Sequence, residues 1–349
     1  MGLMKSSVLI LGASYGSLLG TKLLMAGHRV TLVCTGPTAE LINREGTVVR
    51  FPVRGRESLV EIASRDLAGS LSASAPAEVD PGAFDLVVLG MQESQYGSAG
   101  VRQLMGRIAR SRKPCLAIMN MPPLPYLKRI PGLATDALEG CYADAAVWEG
   151  FEPGLTTLAS PDPQAFRPPD QQKNVLQVGL PTNFKAARFE AEAPTALLRG
   201  LEADIESASG EIPVKLKVHD SVFVPLAKWP MLIAGNYRCI RPNDMIPIKE
   251  AVHGNVAKSR EIYEWVARLC SRLGAEAADL VPFEKYAKAA EGLGKPSSAA
   301  RALFNGAEHI ERVDSLVGRI ARQLGLQSDT VHEIVALVDE RLGRNRLAR

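Results

Sequence analysis

The sequence predicts an α/β protein: a doubly wound, mostly parallel sheet domain over residues 1–219, then an all-helical domain over residues 220–349. Three observations carry this reading. Short apolar runs suited to strands buried on both faces alternate with helix-length segments through the first half. A glycine-bearing turn joins the first of these runs to the first helix. After His219 the apolar spacing becomes that of amphipathic helices and stays so to the end.

The elements follow in order. Val8-Leu9-Ile10-Leu11 is a continuous apolar run, as expected of a central strand. Residues 16–26 read as a helix ended by Gly27, and Val30-Thr31-Leu32-Val33 as the next strand. A second helix covers residues 38–44 before Gly46, and residues 47–63 read as a hairpin turning at Gly55. Phe84 to Leu89 and Cys115 to Met119 are further buried strands, separated by a helix near residues 97–110. The proline-rich stretch 140–182 reads as antiparallel strands joined by a stiff loop, followed by a helix over 195–208 and a strand from Val214 to Val218. Beyond it, Ile262, Trp265, Val266, Leu269 and Leu273 share one helical face. Val313, Leu316, Val317, Ile320 and Leu324 repeat the pattern, as do residues 330–342.

Composition narrows the class. With 46% hydrophobic and 23% charged residues in 349, the chain has the make-up of a folded globular protein with room for two domains. A net charge of +3 without a Lys/Arg block argues against nucleic acid as a partner. Cys34, Cys115, Cys141, Cys239 and Cys270 are scattered and without metal-ligand spacing, so they read as reduced thiols and no metal site is expected. No run approaches the roughly 18 apolar residues of a membrane span. The expectation is a cytoplasmic protein with no membrane partner.

The turn Gly12-Ala13-Ser14-Tyr15-Gly16-Ser17 carries the first functional signal. Glycines between a strand and a helix let the backbone approach a pyrophosphate, and the helix N-terminus offers free N–H groups and partial positive charge. This is the Rossmann arrangement of a dinucleotide site, although Ser14 and Ser17 stand where glycines are usual. The same residues satisfy G-x-S-x-G, a nucleophile elbow, but only seven residues precede Val8, and an elbow follows several strands and needs an upstream oxyanion loop. At the end of the second strand, where an acid would select NAD and an arginine NADP, stand Cys34-Thr35-Gly36-Pro37. Thr35 offers one hydroxyl to either cofactor, with Arg44 further along.

In this order of motifs the chain resembles the ketopantoate reductase family, which reduces a 2-oxo acid with NADPH. The resemblance runs over nearly the whole length. It is carried by Gly16-Ser17-Leu18-Leu19-Gly20, Ala26 to Val33, Asp85 to Gln95, Asn120, Gly210-Glu211-Ile212-Pro213-Val214 with Asp220 and Lys228, and Ser297-Ser298 followed by Glu311. It implies NADP as cofactor, with NAD left open; the apolar faces of the helical domain separately lead us to expect a homodimer. The resemblance also implies Lys228 as the general acid, whose apolar neighbours Val224 to Ala227 and Trp229-Pro230 should desolvate it. Asn236, eight residues on and so about 80° around an α-helix, would hold the substrate. Ser298 would donate to the substrate carboxylate, with helix N-capping as its plain structural role. Glu311 would bond the substrate hydroxyl or hold Lys228, with Glu308 as rival and a solvated helix face as alternative. Asn120 would bridge substrate and cofactor, and Gln92 would face the cofactor.

Departures from the family pattern bear on the substrate. Gln92 stands for a family lysine, Leu232 for its first helix asparagine, Thr35 for its ribose-binding arginine, and Met119-Asn120-Met121-Pro122-Pro123-Leu124-Pro125 for its Q-N-G turn. A pocket with fewer polar groups suits a larger or less polar carbonyl compound than ketopantoate. The alternatives are a dinucleotide-binding sensor or scaffold without catalysis, and a β-hydroxyacid or opine-type dehydrogenase.

Overall fold

A computed structural model describes residues 5–348 and divides into two compact units. The first comprises residues up to Met91, then Gln95–Tyr126 and Ala146–Asp220; the second comprises Gln92–Ser94, Leu127–Ala145 and Ser221 onward. The second unit therefore takes two short segments from within the first unit's stretch of sequence.

The first unit is built on strands β1 (Ser7–Leu11), β2 (Arg29–Val33), β3 (Val48–Phe51), β4 (Val60–Ala63), β5 (Ser70–Ser74), β6 (Leu86–Leu89), β7 (Cys115–Ile118), β8 (Thr156–Ser160), β9 (Gln164–Phe166), β10 (Val175–Leu180), β11 (Phe184–Ala187) and β12 (Leu216–His219). Eight of them form one sheet in the order β12-β11-β8-β7-β6-β1-β2-β5. Pairing is parallel from β5 through β8, and β11 joins β8 antiparallel. All five residues of β1 are buried, as a central strand covered on both faces requires. The strand order reverses at β1, which lies between β2 and β6, and ligands of open α/β sheets bind outside the carboxyl ends at such a point. Helices α1 (Gly16–Met25), α2 (Gly36–Glu45) and α3 (Ala99–Ser111) make the crossovers.

The predicted strands and helices of this half are present with ends shifted by a few residues, and the 47–63 hairpin is β3 paired antiparallel to β4. Two features differ from the sequence reading. β5 was not anticipated, because Ser-Leu-Ser-Ala-Ser lacks an apolar run at a sheet edge that buries only one face. The proline-rich middle stretch splits: β8 joins the main sheet parallel to β7, while β9 and β10 pair antiparallel in a second sheet of order β4-β3-β10-β9.

α1 is buried along nearly its whole length, including Lys22, which is 1% exposed. Its ammonium donates to the carbonyls of Ile212 (3.1 Å) and Pro213 (3.3 Å). That contact holds the loop whose next residue, Val214, has φ +68°, a strained conformation for a β-branched side chain.

The second unit is helical: Ile248–His253, Val256–Leu273, Phe283–Ala290, Ser298–Phe304, Val313–Gln323 and Asp329–Leu347. Asn255 caps the second of these through Lys258 N–H, and Gly274 ends it at φ +118°. Apolar faces close on a core that includes Trp229, Ile233, Tyr263, Val266, Leu269 and Val317. No helix among the described residues is long and apolar enough to cross a membrane.

Candidate functional site

In the first unit, Leu11 of β1 is level with Val33 of β2 and Leu89 of β6. Gly12 N–H extends the ladder to Val33 carbonyl at 2.9 Å while its φ swings to +98°. A Cβ at Gly12 would lie 2.7 Å from Met91 Cγ and 3.0 Å from the Gly90 carbonyl oxygen, so glycine is required both by conformation and by space. At Gly16 a Cβ would lie 2.6 Å from Ile10 Cγ2; glycine there lets α1 start against β1. Ser17 Oγ donates to the Ser14 carbonyl at 2.7 Å and closes the first turn.

No side chain caps α1 and no acidic residue sits in its first turn. Among the described residues, the backbone N–H groups of Ala13, Ser14, Tyr15 and Gly16 donate to nothing. Free donors at a helix N-terminus, on a turn kept small by glycine, fit an anion such as a pyrophosphate. Ser14 is half-buried at the crest of this turn. Tyr15 does other work: its hydroxyl donates to the Pro163 carbonyl at 2.6 Å and its ring meets Phe184 edge-on. Burial, then the Asp162 carboxylate, pushes its phenol well above the usual range.

Thr35 is exposed at the start of α2 and donates its hydroxyl to Thr38 Oγ1 at 3.0 Å. Arg44 sits in the last turn of the same helix, paired with Glu45 at 2.8 Å. Asn120 lies two residues beyond β7, half-buried, before the buried stretch Met121 to Leu127.

In the second unit, Gln92 is exposed and Lys228 half-buried. Lys228 ends the 3-10 turn Pro225–Lys228 among buried Pro225, Leu226, Ala227, Trp229 and Pro230. The segment after it departs from the expected uniform α-helix. Trp229–Met231 is α, Leu232–Asn236 is a π-helical turn, and Tyr237–Cys239 is 3-10, so the 80° offset of Asn236 from Lys228 does not apply. π-turns inside helices concentrate at functional sites. Gly235 lies within it, where a Cβ would sit 1.9 Å from Tyr286 Oη, whose hydroxyl donates to the Met231 carbonyl at 3.0 Å.

Two ties bring the other expected residues to this turn. Ser297 Oγ donates to the Asn236 carbonyl at 2.7 Å and accepts from Ala300 N–H, so the helix cap is Ser297, while Ser298 is exposed at the first helical position. Tyr237 Oη donates to the Glu311 carbonyl at 2.5 Å and accepts from Val313 N–H at 3.0 Å. Glu311 lies before the helix Val313–Gln323 and is buried, not on a solvated helix face; Glu308 is half-buried.

Sequence reasoning missed Glu93, which is 2% exposed and accepts from Ala143 N–H at 3.1 and 3.2 Å through its two oxygens. Burial raises its pKa to about 7; the Ala143 bond opposes the rise, and the carboxylates of Glu311 and Asp144 add to it. A glutamate between Gln92 and Ser94 carries no periodic signal, because the segment is a 3-10 turn and its partners are distant in sequence.

No protein-family model matches the chain, and no curated protein matches it in sequence. Solved structures do. A 2-dehydropantoate 2-reductase from Methylococcus capsulatus superposes with a TM-score of 0.68 at 14% identity, covering 97% of each chain. A D-mandelate dehydrogenase solved with NADH and anilino(oxo)acetate gives 0.65 at 13%, covering 97% of this chain and 99% of its own. A dimeric ketopantoate reductase from Staphylococcus aureus gives 0.62 at 11%, over 97% and 99%. At these identities the likeness is one of fold, and it spans both units.

Proposed function

We propose that this chain, whose fold is that of the ketopantoate reductases, is an NAD(P)H-dependent reductase of 2-oxo acids. The observation that carries the reading is the Gly12–Ser17 turn: a positive-φ glycine and unengaged N–H groups at the reversal point of a parallel sheet. The turn would hold the pyrophosphate, with Thr35, Gln92 and Asn120 as further cofactor contacts. Reduced nicotinamide supplies a hydride to the substrate's C2 when bound.

Carbonyl reduction leaves negative charge on oxygen, and Lys228 is assigned the proton that neutralises it. The ammonium binds the carbonyl oxygen, stabilises the developing alkoxide and ends neutral. Asn236 orients the substrate from the π-turn, Ser298 donates to its carboxylate, and Glu311, held by Tyr237, bonds the hydroxyl or Lys228. Leu232, buried where the family carries an asparagine, favours a 2-oxo acid with a larger apolar side chain over ketopantoate. The assembly is proposed as a homodimer, in line with the dimeric Staphylococcus aureus structure, and five free cysteines suit a cytoplasmic setting.

The test is NADPH and NADH oxidation over a panel of 2-oxo acids with straight, branched and aromatic side chains. Lys228→Ala is expected to lower turnover by on the order of 10²–10⁴-fold. Turnover unchanged by that substitution refutes the assignment.

A further inference from the structure

The end of β2 is where a dinucleotide fold reads the adenosine ribose, and its own residues, Cys34 and Thr35, carry no charge. The second sheet changes what surrounds it. Residues 161–167 are anchored to the glycine turn by the Tyr15–Pro163 hydrogen bond (2.6 Å) and continue into β9, which is held by its pairing to β10. Tyr15, Cys34 and Ala165 all pack against the hydrophobic core of the first unit. The first side chain after β9 is Arg167, whose guanidinium acts electrostatically on the Cys34 thiol.

Arg167 is half-buried. Among the described residues no carboxylate pairs with it and no carbonyl accepts from it, whereas arginines close in sequence or structure, Arg50 and Arg188, have carboxylate partners. Pro168 and Pro169 follow it and limit how far its backbone can move. A partly desolvated guanidinium without an anion is costly, and its planar fork suits a phosphate.

We infer that Arg167 reads the 2′-phosphate of NADP, supplying from the second sheet the charge that the end of β2 lacks. This rests on the dinucleotide reading of the Gly12–Ser17 turn. Thr35, engaged with Thr38, then serves the ribose at most through one hydroxyl.

Isothermal titration of the full chain with NADPH and with NADH, wild type against Arg167→Ala and Arg167→Lys, tests this without relying on turnover. Arg167→Ala is expected to weaken NADPH binding by about 10- to 100-fold and NADH binding by less than about threefold, as for loss of a charged hydrogen-bonding partner. Arg167→Lys, which keeps the charge but not the fork, should fall between. Unchanged far-UV circular dichroism and melting temperature in both variants would exclude misfolding as the cause. An equal loss for both cofactors, or no loss, overturns the role of Arg167 while leaving the dinucleotide site standing. Failure of the wild type to bind either cofactor overturns both.

Discussion

Replacing Glu93 by glutamine should remove the pH dependence that this carboxyl imposes on stability. Its ordinary pKa of 4.5 rises to about 7 in the folded protein, chiefly through burial. Between those values the folded chain holds a proton that the unfolded chain has released. Stability contributed by this group is therefore complete below pH 4.5 and is lost as pH rises through 7. At ~1.4 kcal/mol per pKa unit the loss across the window is about 3 kcal/mol. Of the groups facing it, the backbone N–H groups of Ala143 and Asp144 favour the ionised form, and the Glu311 and Asp144 carboxylates repel it. Tyr142, itself pushed well above the usual phenol range by burial, stays protonated; burial of Glu93 outweighs the two hydrogen bonds. Glutamine keeps an oxygen to accept from Ala143 N–H, and the nearby carboxylates can accept from its amide. Urea unfolding of both proteins from pH 5 to 8 is the assay. Glu93→Gln should match the wild type near pH 4.5–5 and exceed it by about 2–3 kcal/mol at pH 8. Parallel pH profiles, or a variant less stable at pH 8, would refute the reasoning.

Two other outcomes follow from buried groups and backbone geometry. Lys22 has its pKa lowered to about 8 by burial and by Lys215, against the opposing pull of Glu206, so the unfolded chain binds the extra proton between pH 8 and 10.5. Stability should rise by up to about 3 kcal/mol across that window in the wild type relative to Lys22→Met, as seen by urea unfolding; a constant difference between the two contradicts it. Gly12→Ala should cost about 1–3 kcal/mol from the +98° φ alone, and the Cβ clash with the Gly90 carbonyl should shift the turn and weaken dinucleotide binding at least tenfold by calorimetry. A variant with wild-type affinity would remove the turn from the site.

The fold was legible because its signals are local. Val8 to Leu11 is apolar at every position, and a strand covered on both faces demands that; the helix faces built on Ile262 and Val313 likewise declare their period. β5 was not legible, since an edge strand with alternating serines has no comparable signature. Of the candidate site, the sequence makes legible the turn itself, where geometry fixes the residue type at Gly12 and Gly16. The π-turn after Lys228 escaped because the residue packed onto it, Tyr286 against Gly235, lies about fifty residues away in sequence. The cap expected at Ser298 falls one residue earlier, at Ser297, because a helix start read from sequence alone is not fixed to the residue. Glu93 and Arg167 escaped for the same reason in stronger form: each sits in or beside a short irregular segment, and what makes it noteworthy is burial among residues distant in sequence.

The most direct measurement follows the hydride itself. NADPH carrying deuterium at the transferable position of nicotinamide C4 is incubated with the protein and a panel of 2-oxo acids, and the products are examined by mass spectrometry and proton NMR. The reductase reading predicts a 2-hydroxy acid with one deuterium on C2 and none elsewhere, formed by the wild type and nearly abolished in Lys228→Ala. Absence of a C2-deuterated product from every acid in the panel, under conditions where NADPH is bound, would contradict it.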